Sequence, residues 1–544
     1  MTTQARQRVV TPPATPRRQG TYTGTWHLVR LVLRRDRVRL PIWVLAILAL
    51  VYSSAAAVQG LYDTQAERDT YAATMGSSPA VTVMSGPPTA LRTLGGITVY
   101  EINTTLMVAL TLMAIFLVVR HTRAEEEVGR TELLRSTVLG RHAPTLAALV
   151  VVGGASVVVA AGVTAIMLAT GLPTEGSLAY GASMAGLGLV FTAVATCAAQ
   201  VTTHARGALG LSSAFLGVAF VLRAAGDAGN QVLSWLSPLG WVGAVRPFGD
   251  ERWWPILLLL GFAAAVLGLA AELTSHRDVG SGLVPPRAGP AGASPRLGTS
   301  VGLATRLQRG MLVGWLVGVF LGGVAFGSLS NEVEEFVELS PEIAEMFAGT
   351  GTSLVDGFLG TMLMILALVA AGFTVSSVLR LRSEETSGRV EPLLATGLTR
   401  VRWAVGSIAT TTVGTLLVAA AAGLGVGGAH GIVSGDFGQV PRVVLAALAY
   451  VPATLVLAGL AIALLGWLPR AAVAVWAVLA FCFVTGWLGT VLNIPDWVTK
   501  LSPYTHVPLV PAEPVTWAPM LWLTGCSVLL LTVGIAYLAK RDIA

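Results

Sequence analysis

Twelve runs of about 20 mostly apolar residues, each long enough for a helix to cross a bilayer, punctuate this chain. They are 40–60, 102–120, 145–169, 178–201, 207–223, 255–275, 311–329, 357–379, 403–426, 441–465, 471–490 and 519–539. A spanning segment must satisfy its backbone N–H and C=O groups without water, and a helix does so internally. The expected fold is therefore an all-α polytopic membrane protein. Charge excludes the main alternative. Only 12% of the residues are charged and 54% are hydrophobic, whereas a soluble domain carries about 25% charge. A soluble enzyme, a collagen, a disulfide scaffold and an acidic disordered chain are all ruled out. The 61 glycines suit helices that pack closely in lipid.

The basic residues set the orientation. With the N-terminus in the cytoplasm and twelve alternating spans, 28 of the 35 Lys and Arg fall inside and 7 outside. That is the bias that positive-inside insertion produces. Both termini are expected in the cytoplasm and the protein in the plasma membrane. The net charge of +6 then reflects topology and attraction to anionic lipid, and no nucleic-acid partner is expected. Residues 1–20 are polar and Pro-rich, and no cleavable leader is expected before the first span. The stretch WHLVRLVLRRDRVRL, 26–40, mixes Trp26, Leu28, Val29 and Leu31 with Arg30, Arg34, Arg35, Arg37 and Arg39. It has the profile of an interfacial amphipathic helix.

The chain repeats itself. RAEEEVGRTELLRSTVLGR (123–141) follows the second run and RSEETSGRVEPLLATGLTR (382–400) follows the eighth. At a constant offset of 259, 10 of 19 positions are identical. Arg34, Arg37 and Trp43 recur as Arg306, Arg309 and Trp315, and Leu236-Ser237-Pro238 recurs as Leu501-Ser502-Pro503. Six spans per copy keep both copies in one orientation, so the repeats are parallel, about an axis along the membrane normal. The expected organisation is an N-terminal tail and amphipathic helix (1–39), a first six-span half (40–275), a flexible cytoplasmic linker (276–309) and a second six-span half (310–544). Paired re-entrant half-helices are expected at Ser237-Pro238 and Ser502-Pro503.

The repeated segment is the most informative part. Glu126 with Arg130, Glu385 with Arg389, and Arg123 with Glu127 stand at i,i+4 spacing, which supports a helix. Gly129 and Gly388 should interrupt it. A solvated connector needs charge but no fixed order of Glu-Glu, Gly-Arg and Glu. The recurrence of that order points to two rigid docking elements for a partner of matching two-fold symmetry. The motif EExxGRxExLL after the second span of each half resembles the ABC exporter permeases of the drug- and polysaccharide-exporting type. The doubled chain resembles their actinobacterial polyketide-antibiotic (tetronasin-type) branch. The resemblance implies that these segments are coupling helices seated in an ATPase. Coupling then falls to Arg123, Glu125, Glu126, Gly129, Arg130 and Glu132, and to Arg382, Glu384, Glu385, Gly388, Arg389 and Glu391. Thr386 for Glu127 and Pro392 for Leu133 make the two sites unequal.

The energy source must lie elsewhere. A phosphate-cradling GxxxxGK[ST] loop needs a lysine before Ser or Thr. The two lysines, Lys500 and Lys540, precede Leu501 and Arg541. No cofactor is expected in this chain; ATP and magnesium belong to a separate ABC ATPase, two copies per permease. The function so implied is export of amphipathic drugs or antibiotics by alternating access. A proton-coupled secondary multidrug transporter, or an ABC exporter of lipid or polysaccharide, shares the span count. Proton coupling wants a mid-membrane carboxylate, and Glu101, Asp356 and Glu272 all sit at span ends. No metal spacing and no catalytic triad stand out among the seven histidines and three cysteines. A substrate pathway, with adaptable apolar walls, would draw on Asn103, Thr104, Met107, Met113 and Phe116 in span two. In span eight it would draw on Thr361, Met362, Met364 and Phe373. Between spans seven and eight, Glu332, Glu334, Glu335, Glu338, Glu342 and Glu345 form an acidic cap with no Lys or Arg.

Overall fold

The computed structural model describes residues 20–541 apart from 78, 137, 230, 278–281, 285–288, 290, 331–353 and 489–493. The acidic cap residues 332–345 lie outside that set. Every regular element among the described residues is a helix. Twelve stretches are long and apolar enough to cross a membrane: Arg39–Leu61, Leu94–Glu127, Ala143–Ala169, Thr174–Val201, Ala205–Asp227, Trp254–His276, Ser300–Ser328, Leu354–Thr386, Arg400–Ser434, Gln439–Trp467, Pro469–Gly486 and Trp517–Lys540. The chain is an all-α, multi-pass membrane protein. It divides into two compact units, Met1–Ala288 and Gly289–Ala544, with six spans each.

Most helices extend past the apolar runs because an amphiphilic end keeps its helical hydrogen bonds beyond the hydrocarbon. Span seven, expected from 311, starts at Ser300, where the Thr299 hydroxyl accepts the Gly302 N–H at 3.0 Å. Arg306 and Arg309 depress the hydropathy there without breaking the helix. Residues 300–309, expected as part of a flexible linker, are therefore helical.

In the first unit, spans two and four form the centre. Leu106, Met107, Leu110, Met113, Tyr180 and Phe191 are fully buried. Span six has only 22% of its apolar window covered, against 78% for span four, so most of its surface is left for lipid. The amphipathic stretch is a separate helix, Thr25–Arg35, whose Leu28 and Val29 pack on Ala143, Ala147 and Val151 at the start of span three. It stops at Asp36, which is buried and faces Arg120 at 3.3 Å and His121 at 2.5 Å. Those contacts fix the elbow into span one.

In the second unit span eight is central, 78% covered, with spans nine and ten at 56% each. Span seven lies on span nine almost backbone to backbone. A Cβ added at Gly327 would sit 2.2 Å from the Val426 carbonyl oxygen, and small residues are what permit such an approach. Other glycines make room for side chains, Gly372 and Gly414 in the same unit for Trp315 and Phe373. Gly162 of span three receives a side chain, the Cδ2 of Leu48, 2.6 Å from where a Cβ would stand.

The matched half-helices before spans six and twelve do not form as a pair. Ser237 accepts the Leu239 N–H at 3.2 Å and starts a true helix, Pro238–Ala244. Ser502 accepts the Tyr504 N–H at 3.3 Å, but only one 3-10 turn follows, Pro503–His506. Pro508, Pro511 and Pro514 come next, and each removes a donor that a helix would need.

Candidate functional site

Each repeated segment continues from the second span of its unit and then breaks at its glycine. In the first unit span two yields at Thr122 to the short helix Arg123–Glu127, and Arg130–Arg135 follows the break. In the second, one helix runs unbroken from Leu354 to Thr386 before Val390–Leu394. Gly129 (φ 74°) and Gly388 (φ 68°) are both left-handed, a conformation that glycine adopts without strain. At Gly388 the turn closes fully. The Arg389 N–H reaches the Glu384 carbonyl and the Gly388 N–H reaches the Glu385 carbonyl, both at 3.0 Å, satisfying the last carbonyls of the helix.

That turn removes the i,i+4 register across the glycine, so the expected pairs Glu126–Arg130 and Glu385–Arg389 are not the ones formed, while Arg123, in one short helix with Glu127, bonds to Glu126. Glu126 instead accepts the Arg277 guanidinium on both oxygens, at 2.6 and 2.7 Å, and Arg123 at 2.6 Å. Arg123 and Arg277 are buried. Glu385, also buried, accepts from Arg541. Arg277 and Arg541 directly follow spans six and twelve. Two further repeated arginines close the same junctions. Arg141 donates to the carbonyls of Thr274 and Ser275 at 2.9 Å and of Arg277 at 3.0 Å, and Arg400 donates to the carbonyl of Arg541. A cation at a helix C-terminus meets the negative end of its dipole.

The remaining acids are tied more unequally. Glu125 holds Arg35 of the amphipathic helix at 2.7 Å and Arg130 at 3.4 Å. Its counterpart Glu384 holds Arg380 of its own helix at 2.9 Å. Arg382 donates to the Arg470 carbonyl at 3.1 Å, at the head of span eleven. Glu127 accepts the Ala205 N–H at the head of span five, at 3.0 Å, whereas Thr386 hydrogen-bonds back to Arg382 in its own helix. What remains outward is Val128, Arg130, Glu132 and Leu133 in one unit, and Ser387, Arg389, Glu391 and Pro392 in the other.

Sequence reasoning passed over Arg277 and Arg541. A signal existed: His276-Arg277-Asp278 and Lys540-Arg541-Asp542 are a basic-Arg-Asp echo after the last span of each copy.

Within each unit the pathway candidates occupy different settings. Met107, Met113 and Phe373 fill the packed cores of their units, and Met362 is buried with Met364 half-buried nearby. Phe116 is exposed beside Trp43. Thr104 donates to the Met84 carbonyl at 2.6 Å and Thr361 to that of Gly357 at 2.9 Å. Asn103 lines a small cavity shared with Tyr100 and Tyr180. Pro87, Thr89 and Gly243 also border a larger cavity of about 140 Å³, walled by Asp227, Gln231, Trp235, Arg246 and Arg252. Near its rim Asp250 is held below the usual carboxylate range by Arg252 and Arg246. Among the described residues no three His, Cys, Asp or Glu side chains gather as a metal site would require.

One family model, that of the multidrug efflux system permease Rv1217c, C-terminal domain, matches twice, at residues 27–272 and 297–538. The chain belongs to this multidrug efflux permease family. Within the family it is 39% identical to the multidrug efflux system permease protein Rv1217c of Mycobacterium tuberculosis (strain ATCC 25618 / H37Rv), over 97% of both chains. The two matches fall one in each six-span unit, so a single permease model accounts for both halves of this sequence.

Proposed function

We propose that this chain is the membrane-spanning permease subunit of an ATP-driven ABC exporter, sited in the plasma membrane with both termini in the cytoplasm. Its relative's efflux role and the apolar span walls support an amphipathic drug or antibiotic as cargo, moved outward by alternating access. ATP and magnesium are bound by a separate ATPase, one copy for each repeated segment.

The observation that carries this reading is the division of labour within the two segments. Their ion-paired acids fasten the segment to its own unit. Arg130 and Glu132 in one copy, and Arg389 and Glu391 in the other, project outward as matched opposite charges. An outward pair of that kind selects a partner by electrostatic complementarity. The docking role therefore narrows to these four residues and their apolar neighbours Val128 and Leu133.

Affinity purification of the chain from its native membranes is expected to recover an ATP-hydrolysing subunit at two per permease. The variant Arg130→Glu with Arg389→Glu is expected to weaken that association by roughly tenfold or more, equivalent to about 1.4 kcal/mol, while the permease itself stays folded. In proteoliposomes, movement of an amphipathic fluorescent dye is expected to require ATP. Dye movement driven by a proton gradient without ATP would overturn the assignment in favour of a secondary carrier.

A further inference from the structure

Each charged segment is fastened to a helix that its own unit covers poorly. Spans six and twelve each have only 22% of their apolar window buried. Their cytoplasmic ends are nevertheless held by ionic contacts. In the first unit Arg277 is a junction of three elements. Its Nη2 gives both bonds to Glu126 of the segment, its Nη1 donates to the Ala199 carbonyl of span four at 3.1 Å, and its own carbonyl accepts from Arg141. The second unit rebuilds the same joint with Arg541, Glu385 and Arg400. The residues come from separate places in the sequence, yet both copies bring them together. A charge pair this buried is costly to separate, because either partner alone would be left uncompensated.

We infer that Arg277 and Arg541 are positioning residues that transmit movement of the cytoplasmic segments to the last span of each unit. This rests on the reading of the segments as ATPase docking elements. A segment pushed by a partner must drag the residue to which it is bonded. The last span, with most of its apolar window uncovered, is able to follow. Span four, whose end Arg277 also holds, is 78% covered and acts as the fixed side of the joint. The first joint has more bonds and less exposure than the second, with side chains 5% exposed at Arg277 and 22% at Arg541. Transmission is accordingly stronger through Arg277.

The test uses the full permease purified with its ATPase, with Cys197, Cys482 and Cys526 replaced by alanine and one cysteine introduced as Thr274→Cys at the end of span six. Maleimide labelling is compared without nucleotide and after trapping with ATP and vanadate. The parent complex is expected to change its labelling rate on trapping. Arg277→Ala is expected to keep the ATPase bound and the nucleotide trapped but to lose the labelling change. Glu126→Arg combined with Arg277→Glu, which rebuilds the pair in reverse, is expected to restore it. Should Arg277→Ala fail to give a monodisperse protein, Arg277→Gln and the reversed pair carry the test. A labelling change that persists in the single variants, or its absence from the parent with nucleotide trapped, overturns the inference. A parent that binds no ATPase overturns the docking reading and this inference with it.

Discussion

The two units begin from the same nineteen-residue pattern and make it rigid by different means. In the first, the segment is detached from span two at Thr122, and neighbours hold it in place. Glu125 is tied to the amphipathic helix, Glu126 to Arg123 and Arg277, and Glu127 to the head of span five. In the second, the segment is an unbroken extension of span eight up to Thr386, and Glu384 and Thr386 bond within that same helix. Arg382 and Glu385 bond outside that helix, and Arg380, which holds Glu384, also donates to the Leu307 carbonyl of span seven. The backbone supplies in one copy what side-chain charges supply in the other. Repeated sequence thus preserves the joint to the last span and leaves the remaining support free to change.

The contrast can be broken most directly at the paired acids. Glu126→Ala leaves Arg123 and Arg277 buried without their carboxylate, and is expected to destabilise the first unit by about 3–5 kcal/mol. Glu385→Ala leaves a single, partly exposed guanidinium, and is expected to cost about 1–3 kcal/mol. Thermal unfolding of the two variants in detergent measures the difference, and equal losses would erase the distinction. The packing contrast is sharpened by Gly327→Val. Its Cβ meets the Val426 carbonyl, so the spans must part, at an expected cost of about 1–3 kcal/mol. Gly162→Val meets only the end of the Leu48 side chain, and a smaller loss is expected in the same assay. The smallest effects belong to the shared feature. Gly129→Ala and Gly388→Ala have open space around the new methyl group and pay only for left-handed backbone, about 1–2 kcal/mol each. Near-equal values are expected from the two copies; a large inequality would show that the turns themselves have diverged.

The spans were legible because length and hydropathy are local properties. The run 145–169 becomes Ala143–Ala169 and 40–60 becomes Arg39–Leu61. The misses have local causes too. Arg306 and Arg309 hid the start of span seven, and prolines after Ser502 stopped a helix that its partner at Ser237 could form. The glycine breaks in the repeated segment were readable, since one residue type in both copies marked them. The ion pairs were not. An i,i+4 rule assumes continuous helix, and the left-handed glycine stands between Glu126 and Arg130. The real partner, Arg277, lies 151 residues away, and no periodicity connects the two. The pathway candidates were chosen by residue type in the second span of each half, and residue type does not reveal that Met107 and Met113 are buried.

The divergence of the two outward faces carries a consequence for evolution. In a symmetric dimer of half-length chains, any change to the docking face would strike both copies at once. Here Val128 and Leu133 stand opposite Ser387 and Pro392 in the alignment of the repeats. In a single polypeptide each face can change alone. If two identical ATPase copies dock as proposed, they meet unlike seats, and the first stroke of a cycle has a preferred side.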